Sequence, residues 1–314
     1  MKGKDLIDRP RLRSPGMSNV VVSGSASGLL GIKVSKQSGW RLIQSKVEQF
    51  PDGELYVRVM GDVEGETVAL IQSMALRPND YLVEYLLMVD ALRSLGARKI
   101  LGVIPYVPYA RQDARFNKGE ALSMEVVAKL IERSGTEAIV TIDMHLHRLS
   151  DPSQVFGIPV VNLSAAPLLT RYVVENYGLR EPVVIGPDEE AEQWAREGAS
   201  AIDAEYDVME KVRKSATEVV IQPKKLDVEG RDVIILDDII STGGTMVEAV
   251  KVLKKAGARR IIAACTHPLL VRRALEKILS EGAEDVVGTD TVASAVSRVS
   301  VAPLIIEGVK RLTG

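Results

Sequence analysis

Two halves of this chain repeat each other, and no other feature constrains the fold as much. Asp62-Val63-Glu64-Gly65-Glu66-Thr67-Val68-Ala69-Leu70-Ile71 resembles Asp227-Val228-Glu229-Gly230-Arg231-Asp232-Val233-Ile234-Ile235-Leu236. Each copy is a turn entering a short apolar run, the pattern of a strand buried on both faces. Further on, Leu95-Gly96-Ala97-Arg98-Lys99-Ile100-Leu101 resembles Ala256-Gly257-Ala258-Arg259-Arg260-Ile261-Ile262. There a helix stops at a glycine C-cap and a new strand begins. Residues 81–94 and 245–255 carry helical spacing, and Gly135–Asp143 echoes Gly282–Asp290. Strands alternating with helices imply parallel sheets with right-handed crossovers. The expected fold is α/β: two tandem similar domains, each a mostly parallel sheet flanked by helices. They should span 17–157 and 158–314 and meet near Phe156–Pro159.

Composition narrows the functions open to such a chain. Its 314 residues suit two domains of about 150. Lys and Arg number 40 against 42 Asp and Glu, a net charge of −2, which excludes a basic nucleic-acid coat. Aromatic residues make up 4%, too few for the stacking platforms that grip single strands, so no nucleic-acid partner is expected. No window approaches the roughly 18 consecutive apolar residues of a membrane span, so no membrane partner is expected either. The lone Cys265 cannot form an internal disulfide, and a reducing cytoplasm fits. His145, His147 and His267 are the only histidines, too few for an all-protein zinc site. Residues 1–16 are basic and polar, with two prolines and no apolar core. They read as a disordered extension ahead of Met17, or as residues upstream of the functional start, and not as a secretory signal.

The two halves part at one point. After its buried strand the second half has Asp237-Asp238 where the first has Gln72-Ser73, so acid-pair chemistry belongs to the second half. The run from Val233 to Thr245 joins that strand to a helix, at the strand end where parallel α/β sheets bind ligands. Gly243 and Gly244 let backbone N–H groups face an anion, Ser241, Thr242 and Thr245 add hydroxyls, and the helix adds its positive end. Asp237 and Asp238 can accept from a vicinal diol, each charge-assisted bond contributing about 1.5–3 kcal/mol. A diol beside a monophosphate describes ribose 5-phosphate. A plain Gly-rich turn with capping acids is the simpler reading, but adjacent acids ending an apolar strand need partners. The segment resembles the fingerprint of the type I phosphoribosyltransferase fold, so both domains are expected to be phosphoribosyltransferase-like.

Further segments resemble the ribose-phosphate pyrophosphokinase family. Phe50-Pro51-Asp52-Gly53-Glu54 is by itself a turn. In the family the matching loop reaches the adenine of ATP from a neighbouring subunit. That implies ATP-binding roles for Phe50, Asp52, Gly53 and Glu54, and self-association as a dimer or higher with a shared adenine site. Pro105-Tyr106-Val107-Pro108-Tyr109-Ala110-Arg111-Gln112-Asp113 follows the apolar run 100–104, and its prolines bar a continuing central strand. Arg111 can stack on a purine and pair with phosphate. The resemblance adds Gln112 and Asp113 to the ATP site.

Asp143-Met144-His145-Leu146-His147 follows the strand 138–142. The family places a histidine like His145 against magnesium and ATP phosphates, and implies no role for His147. Asp188, in Gly186-Pro187-Asp188, matches the family's magnesium-associated aspartate. A hard cation that keeps several waters needs few carboxylates. Relatives usually carry a glycine soon after; Glu189-Glu190 here would tighten metal binding or crowd phosphate. Met209-Glu210-Lys211-Val212-Arg213-Lys214 has the charge of a solvated surface. It matches the family's mobile catalytic loop, implying catalytic roles for Lys211 and Arg213, the latter also touching ribose 5-phosphate; Thr217-Glu218-Val219 fits the same loop. Ser241 and Ala121 stand where many members have Asp and Pro.

The resemblance spans about Asn19–Gly314. It implies transfer of the diphosphoryl group of ATP to the anomeric hydroxyl of ribose 5-phosphate, with Mg2+ as cofactor and AMP as co-product. A base-salvaging phosphoribosyltransferase would share 233–245 without needing 50–54 or 111–113. A non-catalytic nucleotide sensor would not need Lys211, Arg213, His145 and Asp188.

Overall fold

The repeat is visible strand for strand. The computed structural model describes residues 19–146, 149, 151–213, 219–224 and 226–314. The expected extension 1–16, together with His147, Lys214, Thr217 and Glu218, lies outside the described residues. The first sheet holds β1 (Asn19–Ser23), β2 (Arg41–Gln49), β3 (Leu55–Met60), β4 (Thr67–Ile71), β5 (Lys99–Val103), β6 (Ala138–Ile142) and β7 (Val160–Leu163). Its order is β3-β2-β1-β4-β5-β6-β7. The second holds β8 (Val183–Gly186), β9 (Glu205–Arg213), β10 (Val219–Pro223), β11 (Asp232–Ile240), β12 (Arg260–Pro268), β13 (Asp285–Thr289) and β14 (Ser297–Val299). It runs β10-β9-β8-β11-β12-β13-β14, the same order. In each sheet only the hairpin at one edge is antiparallel. Strands β4, β6 and β8 are buried along their whole length, as their unbroken apolar runs require.

Helices cover both faces. On the first sheet α2 (Pro78–Ser94) and α3 (Ser123–Ser134) pack on one side, and α1 (Gly28–Ser38) on the other. On the second, α6 (Gly244–Lys255) and α7 (Ala274–Glu281) face α5 (Glu192–Ser200). The remaining two helices are exchanged. Helix α4 (Ala166–Tyr177) follows the first sheet but packs on α5 and the second, through Leu169 and Val173. Helix α8 (Ala302–Thr313) follows the second sheet but returns to α1 and the first, burying Val301, Ile305 and Val309 with Val21 and Val140. Gly308 permits this approach, since a Cβ there would lie 2.5 Å from Val140 Cγ1.

These elements cross the expected division at 157/158. β7 lies beyond it in sequence yet pairs with β6, from Ile139↔Val160 to Ile142↔Leu163. The expected loop around 209–214 is also different. Residues up to Arg213 continue β9 past its last parallel partner, pairing with β10 as Lys211↔Ile221 and Arg213↔Val219. Backbone pairing in a two-stranded ribbon meets the hydrogen-bonding needs of a polar sequence without a buried face.

Candidate active site

The site forms where the carboxyl ends of β5, β6, β8 and β11 converge between the sheets. Strand β11 is buried through Leu236, and its last turns carry Asp237 and the buried Asp238. Asp238 N–H donates to Asp237 Oδ1 at 2.9 Å. From the other half, β6 ends at Asp143, and two residues later His145 Nδ1 lies 2.6 Å from Asp238 Oδ2. That contact joins the two halves at the acid pair.

Electrostatics shows which groups share this space. Burial, then the charge of Asp143, pushes the Asp238 carboxyl up to about 7, against opposing help from Asp237 and Arg111. Burial and the charges of Asp238 and Asp188 also raise Asp237. Burial and Arg111 lower His145, while Asp237, Glu190 and Asp113 pull it up. Asp188 Oδ1 accepts from Glu190 N–H at 3.1 Å, so the acids after it form a turn capped by Asp188 itself. Among the described residues no group of three or more His, Cys, Asp or Glu is arranged to hold a metal ion.

After β11 the chain turns through the two glycines into α6. Gly243 is left-handed at φ 78° and precedes α6, while a Cβ on Gly244 would meet nothing within 4 Å. Gly243 is thus required by backbone shape and packing, and Gly244 leaves open space at a helix start. A cavity of about 470 Å³ runs beside it, lined by Asp188, Glu189, Glu190, Met209, Thr245 and Glu248. A second, of about 350 Å³, links Glu189 and Glu190 to His145. The loop after β5 carries Arg111 and Gln112; Gln112 Oε1 accepts from Ser123 Oγ at 2.7 Å, tying the loop to α3.

The Phe50–Glu54 turn lies apart. Strand β2 continues from Gln44 to Gln49 past its last β1 partner, Ile43. At about 3.3 Å per residue the ribbon projects about 20 Å. Gly53 turns it at φ 99°, Phe50 is 51% exposed, and its ring packs edge-on against Tyr56. Among the described residues its hydrogen bonds stay within the ribbon. By the repeat, this β2–β3 ribbon is the counterpart of β9–β10, which bears Lys211 and Arg213.

The first half's version of the site is closed. Gln72, opposite Asp237 in the repeat, is fully buried. Glu84 fills the space beside it, accepting from Ser25 N–H at 2.6 Å and Ser25 Oγ at 2.5 Å.

The comparisons agree with this geometry. A model of the N-terminal domain of ribose phosphate pyrophosphokinase matches residues 19–135, and one of the phosphoribosyl transferase domain matches 165–300. The ribose-phosphate pyrophosphokinase of Methanopyrus kandleri is 42% identical over 297 residues, covering 94% of this chain and 100% of its own. The chain belongs to the ribose-phosphate pyrophosphokinase family. The Methanothermobacter thermautotrophicus member is 44% identical over 291 residues, covering 93% of this chain and 100% of its own. A crystal structure of phosphoribosylpyrophosphate synthetase from Mycobacterium smegmatis superposes with TM-score 0.82 at 30% identity, covering 94% of this chain and 99% of that one.

Within the family's frame, some side chains at the junction had no local signal. Trp194, Thr266 and Asn162 reach the segment before His145 from α5, β12 and β7. His267, set aside above only as a scarce zinc ligand, is buried there too. Its Nε2 donates to Ile142 O at 3.1 Å, and burial lowers its pKa to about 4.

Proposed function

We propose that this chain transfers the diphosphoryl group of ATP to the anomeric oxygen of ribose 5-phosphate. The anomeric hydroxyl oxygen attacks the β-phosphorus and releases its proton to solvent, the bond from that phosphorus to the α,β-bridging oxygen breaks, and AMP leaves. The His145–Asp238 contact carries the reading, because it sets a diol-and-phosphate site directly against the residues suited to a nucleotide. Asp237 and Asp238 would hold the ribose hydroxyls, and Ser241, Thr242, Gly243, Gly244 and Thr245 the 5-phosphate. Arg111, Gln112, Asp113 and His145 would hold ATP. Lys211 and Arg213, on the outer part of β9, would close on the transferred group and stabilise its charge. Magnesium, held through His145 and Asp188 and its own waters, would neutralise phosphate charge.

The adenine would be gripped by Phe50, Asp52, Gly53 and Glu54 of a second subunit, making the active unit at least a dimer. The projecting ribbon supports this, as do exposed apolar side chains on neighbouring elements: Met60, Val83, Leu87, Val126 and Leu130. A cytoplasmic setting accords with a single buried cysteine; no helix among the described residues is long and apolar enough to cross a membrane. The test is direct. Protein, magnesium, ATP and ribose 5-phosphate are mixed and assayed for AMP and a pyrophosphorylated ribose. Absence of AMP rejects the proposal.

A further inference from the structure

Asp143 ends β6 in a left-handed conformation, φ 38°, which an aspartate adopts at a cost unless its surroundings hold it there. Here they do. Its Oδ1 accepts from Trp194 Nε1 at 2.9 Å, and its Oδ2 from Thr266 Oγ1 at 2.6 Å and Ala165 N–H at 2.9 Å. With these donors the carboxylate is 3% exposed and its oxygens are occupied, so it is poorly placed to ligate a metal. Two of the donors, Trp194 on α5 and Thr266 on β12, belong to the second half. His267, also on β12, closes the arrangement from the backbone side, its Nε2 facing Ile142 O at 3.1 Å and Asp143 O at 3.3 Å. The tautomer follows from the partners. Carbonyls only accept, so Nε2 carries the proton and Nδ1 accepts from Thr291 Oγ1 at 2.9 Å.

The repeat supplies an internal comparison. Asp290 ends β13 as Asp143 ends β6, and each caps the exchanged helix that follows: Asp143 at Ala165 N–H, Asp290 at Val301 N–H, 2.8 Å. Each also takes a donor from the first helix of the other half, Trp194 for Asp143 and Lys33 for Asp290, the latter at 2.6 Å. The two aspartates therefore do the same job of fastening the halves. Only Asp143 adds the Thr266 hydroxyl and the His267 contacts, and only Asp143 lies two residues before a side chain that meets the acid pair. Beyond it, Met144 N–H donates to Asn162 Oδ1 at 3.0 Å, fixing the backbone one residue before His145.

We propose that Asp143, clamped by Trp194, Thr266 and His267, is a positioning residue that sets His145 against Asp238 across the junction of the two halves. The role rests on the function proposed above, but the placement can be tested without it. Thr266→Val keeps the shape and removes one donor to Asp143; Trp194→Phe removes another; Thr266→Ser restores the hydroxyl. Lys33→Met weakens the matching fastening at Asp290 and serves as the control for general loosening.

The expected outcome is a fall in kcat of about 10–100-fold for Thr266→Val and Trp194→Phe, the usual effect of losing a group that orients a ligand. The loss should fall on kcat more than on the KM for ribose 5-phosphate, since Asp237 and residues 241–245 keep their place. Thr266→Ser should recover turnover, and Lys33→Met should keep it. In a crystal structure of Thr266→Val, His145 Nδ1 and Asp238 Oδ2 should part beyond hydrogen-bonding distance. A retained contact overturns the proposal, as does unchanged turnover in Thr266→Val or an equal loss in Lys33→Met. If the wild-type chain forms no AMP, the functional reading fails while the crystal structures still decide the placement.

Discussion

Replacing Gly244 by alanine should separate binding from stability in a way few substitutions can. The residue opens α6, its φ is not left-handed, and an added Cβ would meet nothing within 4 Å. Alanine there removes the backbone freedom that glycine gives the unfolded chain, a gain of about 0.5–1 kcal/mol. In a domain of about 150 residues that raises Tm by about 1–4 °C. The same Cβ enters the space where the 5-phosphate would meet backbone N–H groups. Losing one charge-assisted bond of about 1.5–3 kcal/mol raises the KM for ribose 5-phosphate about 10–150-fold. The KM for ATP should not move. Gly243→Ala is the counterpart: at φ 78°, with Ala274 Cβ 3.0 Å from the new atom, it should lower Tm, the left-handed backbone alone costing about 1–2 kcal/mol. Steady-state kinetics and thermal melts of both variants decide the matter. A Gly244→Ala protein with an unchanged ribose 5-phosphate KM, or a lowered Tm, would refute the open cradle.

Other outcomes follow from the same geometry. Lys211→Ala should lower turnover by orders of magnitude with ribose 5-phosphate affinity intact; normal turnover removes β9 from the chemistry. If the adenine site is shared, mixing Phe50→Ala with Lys211→Ala subunits should restore part of the activity that neither variant has, and light scattering should find no active monomer. Asp232→Asn should cost about 2–3 kcal/mol, less than the ~3–5 of a fully buried pair because Arg259 is partly in water, and leave the kinetics unchanged. The wild-type carboxyl is fully buried; burial would raise its pKa, but the bidentate Arg259 and Arg180 N–H outweigh that and hold it low. Its contribution is therefore present above the unfolded carboxylate range and lost as pH falls through the folded value. Acid melts of the variant should show a smaller drop below about pH 4 than the wild type.

Much of this was legible because strand and loop signals are local. The apolar runs ending at Ile71, Ile142 and Leu236 fold within β4, β6 and β11. The acid pair and its glycine cradle lie together on one strand-to-helix connection, so spacing sufficed to group them. The rest depends on contacts between distant residues. An amphipathic helix such as α8 advertises an apolar face but not which sheet will receive it. The polar run 205–213 hid a strand that pairs with β8 over 205–208 and only beyond that with β10 of the ribbon. Trp194 and Thr266 carry no motif; only the fold brings them to Asp143.

The exchange of α4 and α8 has a consequence for synthesis. The face of the first sheet around Val21, Val140 and Ile142 stays open until Val301, Ile305 and Val309 arrive. At about 5–20 residues per second, roughly ten to thirty seconds pass between emergence of β6 and of α8. For that interval the nascent chain carries an apolar sheet face that α1 covers only in part. Neither half can be cut out as a finished domain, and a ribosome-bound chain stalled before residue 301 should be the form most prone to stick to a chaperone or to another copy.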